Sequence, residues 1–75
     1  MDYNFAQYNL GRLYKNGIGT EKNLEKAFYW FQKAAENGYD LAQYNLALLY
    51  ENGEGTEKNL EKAFYWYQKS SRKRI

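Results

Sequence analysis

The sequence predicts an all-α fold in which four helices form two stacked helix-turn-helix repeats. The first observation behind this prediction is a repeated segment: the twelve residues Gly19–Trp30 (GTEKNLEKAFYW) recur unchanged at Gly55–Trp66. The second is that apolar residues within each copy recur at the spacing of one helix face. The copies are offset by 36 positions, from 19 to 55, and a period between roughly 20 and 50 residues is typical of solenoids. We therefore expect each repeat to be one pair of helices.

The first helix of each repeat follows a polar residue and ends at an Asn-Gly pair. In the first copy one helix face is formed by Ala6, Leu10, Leu13 and Tyr14. Asn4 precedes this face as the predicted N-cap, and Asp40 has the same place in the second copy. Gly17 and Gly53 are predicted to end these helices, because glycine readily adopts the left-handed conformation of a helix C-terminus.

The second helix begins after an asparagine in both repeats, and Asn23 and Asn59 are its predicted N-caps. The apolar positions that follow Asn23 have helical spacing, and they are Leu24, Ala27, Phe28, Trp30, Phe31, Ala34 and Ala35. The chain contains no proline, so no segment is barred from helix on that account. Together these signals predict helices over residues 4–15, 24–36, 41–51 and 60–72.

Small residues alternate with bulky ones along the predicted helices, which allows helix backbones to approach closely. Gly11 lies inside the first helix, and its counterpart in the second copy is Ala47. A glycine inside a helix costs up to about 1 kcal/mol relative to alanine. Because both residues occur at this position, the sequence predicts that it requires a small side chain rather than glycine itself.

The composition argues against an enzyme and against a cofactor or metal site. The chain contains no His and no Cys, which removes the commonest general base, the thiolate nucleophile and two common metal ligands. The net charge is +2, but Arg72, Lys73 and Arg74 supply three positive charges, so residues 1–71 carry −1. A near-neutral body lacks the basic stripe that follows phosphates. We expect no catalytic residue, no cofactor, no metal and no nucleic-acid partner.

Both copies carry one ordered series of residues. The first copy has Ala6, Leu10, Gly11, Tyr14, Gly17, Gly19, Lys26, Ala27, Trp30, Phe31, Lys33, Ala34, Ala35 and Gly38. The second has Ala42, Leu46, Ala47, Tyr50, Gly53, Gly55, Lys62, Ala63, Trp66, Tyr67 and Lys69. This series resembles the Sel-one-like repeat, a relative of the tetratricopeptide repeat. The resemblance implies an α/α solenoid with a right-handed superhelix, with repeats at residues 3–38 and 39–75. The second repeat has a polar C-terminal end, where Ser70-Ser71 replaces the family's Ala-Ala.

The resemblance also implies where a partner binds. In tetratricopeptide-like stacks the first helices of successive repeats line a concave groove. The candidate groove residues are Tyr8, Asn9, Arg12 and Asn16 on the first helix, and Tyr44, Asn45, Leu48 and Asn52 on the third. Asparagine can bond both the N–H and the C=O of an extended peptide, and tyrosine offers amphipathic contact area at low entropic cost. We expect a protein or peptide partner, whose identity the sequence does not specify.

The expected function is a protein-interaction module or adaptor with a scaffold role. The near-identity of the copies resembles the long fungal arrays of this repeat, some of which accompany a protein kinase domain. A fragment of a longer array linked to signalling is therefore one interpretation. Two alternatives stay open: a purely structural capping fragment or degenerate gene product with no partner of its own, and an RNA-binding repeat.

Location and association are predicted from the same features. The N-terminus (MDYN) lacks the positive flank and apolar run of a secretory signal, and no stretch is apolar enough to span a membrane. A soluble, cytoplasmic protein is expected. Two repeats leave an apolar face for a third, so we also expect weak self-association through the exposed terminal helix.

Overall fold

The structure is a computed structural model that describes residues 3–70 of the 75-residue chain. Within that range it contains four α-helices: α1 (Asn4–Asn16), α2 (Leu24–Glu36), α3 (Asp40–Asn52) and α4 (Leu60–Lys69). The predicted all-α fold with four helices is confirmed. The basic tail at residues 72–74 lies outside the described residues.

The predicted asparagine caps of the second helices are confirmed. The side chains of Asn23 and Asn59 each accept a hydrogen bond at 3.0 Å, from the backbone N–H of Lys26 and Lys62 respectively. Each bond satisfies one of the N–H groups that a helix leaves without a partner in its first turn. The identical local sequence therefore starts α2 and α4 in the same way.

The predicted caps of the first helices were wrong by one residue. Asn4 and Asp40 are the first helical residues, and the N-caps are Tyr3 and Tyr39, which make no side-chain capping bond. The carbonyl oxygens of Tyr3 and Tyr39 accept hydrogen bonds of 2.9 and 3.0 Å from the N–H groups four residues later. The backbone ladder therefore starts earlier than the side-chain pattern indicated.

The helix ends follow the glycine predictions, with one exception at α4. Gly17 and Gly53 adopt left-handed backbone conformations with φ of 67° and 66°, which glycine does without steric cost. The prediction that the last helix continues to residue 72 was wrong, because α4 ends at Lys69. Ser70 is extended, and its hydroxyl donates a 3.1 Å hydrogen bond to the carbonyl of Asp40 at the start of α3.

Each helix packs on its neighbour in the sequence, so that α2 lies between α1 and α3, and α3 between α2 and α4. The buried core residues are Ala27, Phe31, Ala34, Ala35, Ala42, Leu46, Ala47, Leu49, Tyr50 and Ala63. Alanines dominate the contact surfaces of α2, which lets the helix axes approach closely. Contacts between sequence neighbours are the pattern of a solenoid.

Gly11 is a point of close contact between α1 and α2. A Cβ atom placed there would lie 2.7 Å from two ring carbons of Phe31, whose side chain is fully buried. An alanine at this position would therefore require the buried ring to shift. The expectation that any small residue suffices meets a close contact in the first repeat, where glycine fits without such a shift.

Gly55 is the corresponding close point between the two repeats. A Cβ atom there would lie 2.1 Å from the carbonyl oxygen of Leu24 and 3.2 Å from Cβ of Phe28. Its counterpart Gly19 has the same φ of 74° but nothing within 4 Å of a Cβ atom. The same local sequence therefore makes a tight contact at Gly55 in the second repeat, whereas Gly19 in the first repeat has open space beside it.

We expect Gly55→Asn to lower the free energy of unfolding by about 2–3 kcal/mol more than Gly19→Asn. Asparagine tolerates positive φ at both positions, but at Gly55 it would collide with the backbone of α2. Urea denaturation followed by circular dichroism measures the difference. Equal losses from the two substitutions would contradict the contact between Gly55 and Leu24.

Gly11→Ala should destabilise the chain by about 1–2 kcal/mol, because overpacking against Phe31 outweighs the gain in helix propensity. Ala47→Gly, at the equivalent position of the second repeat, should also destabilise, by about 1 kcal/mol or more, because it lowers helix propensity and removes a buried methyl group. The same denaturation experiment compares them. A stabilised Gly11→Ala variant would show that Phe31 can move aside.

Candidate protein-binding groove

The α1 half of the candidate groove contains one packing residue and three polar ones. Tyr8 is half-buried, and its ring centroid lies 5.8 Å from that of Phe31 and 5.4 Å from that of Tyr39. Arg12 is exposed and donates a 3.0 Å hydrogen bond from Nη1 to Oδ1 of Asn9 one turn earlier. Asn16 is exposed at the end of the helix.

The α3 half repeats this arrangement with changes. Tyr44 is half-buried and contacts the ring of Tyr67 with centroids 5.6 Å apart. Asn45 donates a 2.8 Å hydrogen bond from Nδ2 to the carbonyl of Leu41 in its own helix. Leu48 is half-buried, and Asn52 is exposed.

The structure therefore separates two packing tyrosines from the other six of the eight predicted residues. Tyr8 and Tyr44 are fixed by ring contacts to α2 and α4, the helices that follow them. Aromatic pairs of this kind contribute about 0.5–1.5 kcal/mol beyond their buried area, so these two tyrosines support the fold first. Of the remaining six residues, Arg12, Asn16 and Asn52 are exposed, and Asn9, Asn45 and Leu48 are half-buried.

Two surface hollows lie outside the predicted set. A surface hollow of about 750 Å³ lies beside the N-terminal end of α2 and the loop before α4. Its walls are formed by Lys22–Glu25 and Gly55–Glu57. A second hollow of about 390 Å³ lies between the C-terminal end of α2 and α4, with walls formed by Ala35, Glu36, Gly38, Gln43, Tyr65, Trp66 and Lys69. Helical spacing within one repeat does not reveal either hollow, because each hollow is formed by residues of two different repeats.

The second hollow has an aromatic wall that the sequence does signal. The rings of Tyr65 and Trp66 meet edge to face at 5.0 Å, and Nζ of Lys69 lies 5.7 Å from the centroid of Tyr65. The same Tyr-Trp and Tyr-Lys contacts occur at Tyr29 in the first repeat, at 5.0 and 5.4 Å. The sequence signal for this wall is a Tyr-Trp pair that recurs after 36 residues, with a lysine four residues after each tyrosine.

Tyr67 has an unusual environment at the edge of the candidate groove. Burial raises the pKa of its phenol, and so do the hydrogen bond from its hydroxyl to Oε1 of Glu51 and the negative charge of that carboxylate. Phe31 occupies the equivalent place in the first repeat without a hydroxyl. Burial also raises the pKa of Tyr50, with a smaller contribution from the charge of Glu36.

The described residues 3–70 contain no helix that is long and apolar enough to cross a membrane. Paired helices, neighbour-to-neighbour packing and repeated side-chain contacts together define a helical-repeat protein. A family model for the Sel1 repeat matches residues 4–39 and, a second time, residues 40–74. The chain belongs to the Sel1 repeat family.

Individual relatives agree with this assignment. A sel1-like repeat-containing protein of Acanthamoeba polyphaga mimivirus is 55% identical over 31 residues, which are 41% of this chain and 5% of that protein. The chitin synthase regulator SKT5 of Saccharomyces cerevisiae is 47% identical over 32 residues, 43% of this chain and 5% of that protein. The chain thus spans 5% of the length of both curated relatives.

A solved structure shows the same fold. The crystal structure of a Sel1 repeat protein from Oxalobacter formigenes superposes with a TM-score of 0.86 at 50% sequence identity, covering 88% of this chain and 27% of that one. At this similarity the helix order and the packing of the repeats correspond.

The raised pKa of Tyr67 predicts a loss of stability at alkaline pH. In the unfolded chain its phenol loses a proton above about pH 10, whereas in the folded chain it keeps the proton. Ionisation of this phenol therefore favours unfolding. The stabilisation that the protonated Tyr67 gives the folded chain is complete below about pH 10 and declines as the pH rises further. Tyr67→Phe should lose less stability than the wild type as the pH rises above about 10.

Denaturation at several pH values measures this difference. Tyr65→Phe is the matched control, because Tyr65 is exposed and its substitution removes one phenol without changing the hydrogen bond to Glu51. If both variants follow the same pH profile, the contact between Tyr67 and Glu51 does not set the alkaline limit.

Proposed function

We propose that the chain is a protein-interaction module, an adaptor that binds an extended segment of a partner protein along α1 and α3. The observation that carries this proposal is the repetition of exposed polar groups beside fixed tyrosines on the two helices. Asn16 and Asn52 occupy equivalent exposed positions, and Tyr8 and Tyr44 occupy equivalent half-buried ones. A peptide running across the repeats would meet the same chemistry twice.

The physical basis is pre-organisation. The ring contacts hold Tyr8 and Tyr44 in place before a partner arrives, so less side-chain entropy is lost on binding. The bond between Arg12 and Asn9 fixes the guanidinium group on the same surface. A fixed guanidinium favours a carboxylate on the partner, since it can form two parallel hydrogen bonds.

The family relationship supports a regulatory adaptor. One relative is named a chitin synthase regulator, and contact between proteins is one way in which a regulator acts on an enzyme. The proposal includes no catalytic step, and it retains the cytoplasm as the site of action. The structural capping fragment is the alternative that the binding experiment below separates from it.

The test begins with selection of binders from a phage-displayed library of random peptides, followed by calorimetry with a selected peptide. Substituting both Asn16 and Asn52 with Ala should weaken binding about tenfold, since each lost hydrogen bond contributes about 0.5–1.5 kcal/mol. Gln68→Ala, an exposed amide on α4, is the control and should leave the affinity unchanged.

Amide chemical-shift changes in NMR spectra then locate the peptide. Shifts confined to α1 and α3 support the proposal. A peptide that shifts α2 and α4 instead would contradict the proposed surface. Failure to select any binder would favour the structural capping fragment.

A further inference from the structure

The contact between the two repeats has two sides. One side is the N-terminal half of α2, where Leu24 and Phe28 face the second repeat, and the other is formed by Tyr50 and Gly55. The rings of Phe28 and Tyr50 meet edge to face with centroids 5.3 Å apart at 88°. The backbone of Leu24 lies so close to Gly55 that a Cβ atom on the glycine would be 2.1 Å from the carbonyl oxygen.

Each end of the described chain carries one of these sides a second time. Leu60 and Phe64 on α4 are the counterparts of Leu24 and Phe28, and they are 60% and 62% exposed. We call these two residues the α4 face. Tyr14 and Gly19 are the counterparts of Tyr50 and Gly55, and we call them the Gly19 face. Tyr14 is half-buried, and a Cβ atom on Gly19 would meet nothing within 4 Å.

The residues that would meet are the same as those that already meet inside the chain. Leu60, Phe64 and Gly19 lie within the twelve-residue segment that both repeats share without change. Tyr14 and Tyr50 are both tyrosine, and each carries a lysine Nζ over its ring, Lys26 at 5.3 Å and Lys62 at 5.6 Å. The faces at the two ends therefore match one part of the contact between the repeats. The rest of that contact has no equivalent, because Ala34 and Ala35 of α2 correspond to Ser70 and Ser71, and α4 ends at Lys69.

Where the repeats differ, the Gly19 end is the more apolar of the two. Ile18 is 51% exposed there, whereas its counterpart in the second repeat is Glu54, which is partly buried at the internal contact. Removing the Ile18 side chain from water favours association, because apolar surface is buried.

We propose that a second copy of this chain docks its α4 face on the Gly19 face of the first, reproducing the contacts of Phe28 with Tyr50 and of Leu24 with Gly55. In this arrangement Phe64 of one copy lies against Tyr14 of the other, and the backbone at Leu60 lies against Gly19. The interface is heterologous, so each copy still has one face available and the assembly grows from head to tail. This association is independent of the peptide-binding surface on α1 and α3.

The experiment uses the whole 75-residue chain and variants that block one face each. Gly19→Asn blocks the Gly19 face, because asparagine tolerates positive φ and its Cβ has open space in the single chain but none in the docked pair. Phe64→Glu blocks the α4 face at a side chain that is mostly exposed. Gly38→Asn is the control, since Gly38 also has positive φ (89°) and nothing within 4 Å.

Sedimentation velocity over a range of concentrations up to millimolar gives the result. The mean mass of the wild type and of Gly38→Asn should rise with concentration, while each blocked variant should associate at least about tenfold more weakly. An equimolar mixture of the two blocked variants should form dimers and nothing larger, because each retains the face that the other has lost.

Three outcomes would overturn the proposal. The first is a wild type that stays monomeric at every concentration, which would leave these faces to other repeats of a longer chain. The second is a mixture of blocked variants that stays monomeric while the wild type associates. The third is a Gly19→Asn variant that dimerises by itself, which would indicate an α4-to-α4 contact. Circular dichroism checks that each variant is folded. If Gly19→Asn does not fold, Phe64→Glu still tests the interface, because Phe64 is mostly exposed.

Discussion

The seating of α2 between its two neighbours is the constraint on which the rest of the structure depends. On one side Phe31 is enclosed against α1 because Gly11 has no side chain. On the other side the backbone at Leu24 reaches the second repeat because Gly55 has none. Alanines at 27, 34 and 35 keep the intervening surface of α2 low and buried. A single helix thus joins the repeats through packing, in a chain without cysteine.

The two repeats reach the same helix pairing with different partners at one position. In the first repeat glycine and a buried phenylalanine meet at Gly11 and Phe31. In the second repeat Ala47 is fully buried, and Tyr67 is half-buried and reaches Glu51 with its hydroxyl. Ala47, which is larger than Gly11, occurs with the ring of Tyr67, which is more exposed than that of Phe31. The hydroxyl of Tyr67 donates a hydrogen bond to Glu51. The substitutions are therefore coupled, as residues in direct contact usually are.

The fold was more predictable than the candidate site. Helical spacing, the caps at Asn23 and Asn59 and the repeat period are local signals, and they located all four described helices to within a few residues. The candidate groove residues were placed on one side of α1 and α3 by the same spacing. Spacing could not show that Tyr8 contacts Phe31 and Tyr39, because that contact depends on how three segments meet. Nor could it show the hollow between α2 and α4, which exists only after the repeats have packed.

The sequence by itself determined the helices, their order, the repeat unit and the Sel1 family, because these depend on residue type and on spacing along one chain. The tertiary structure decided what each copy of an identical segment does. Gly19 and Gly55 are followed by the same eleven residues and share a φ of 74°, yet one is open and the other touches Leu24. Phe28 and Phe64 likewise differ in exposure although the surrounding twelve residues are the same. The physical reason is that burial is a property of position in the stack, and a repeat has a neighbour on a given side only if the fold places one there.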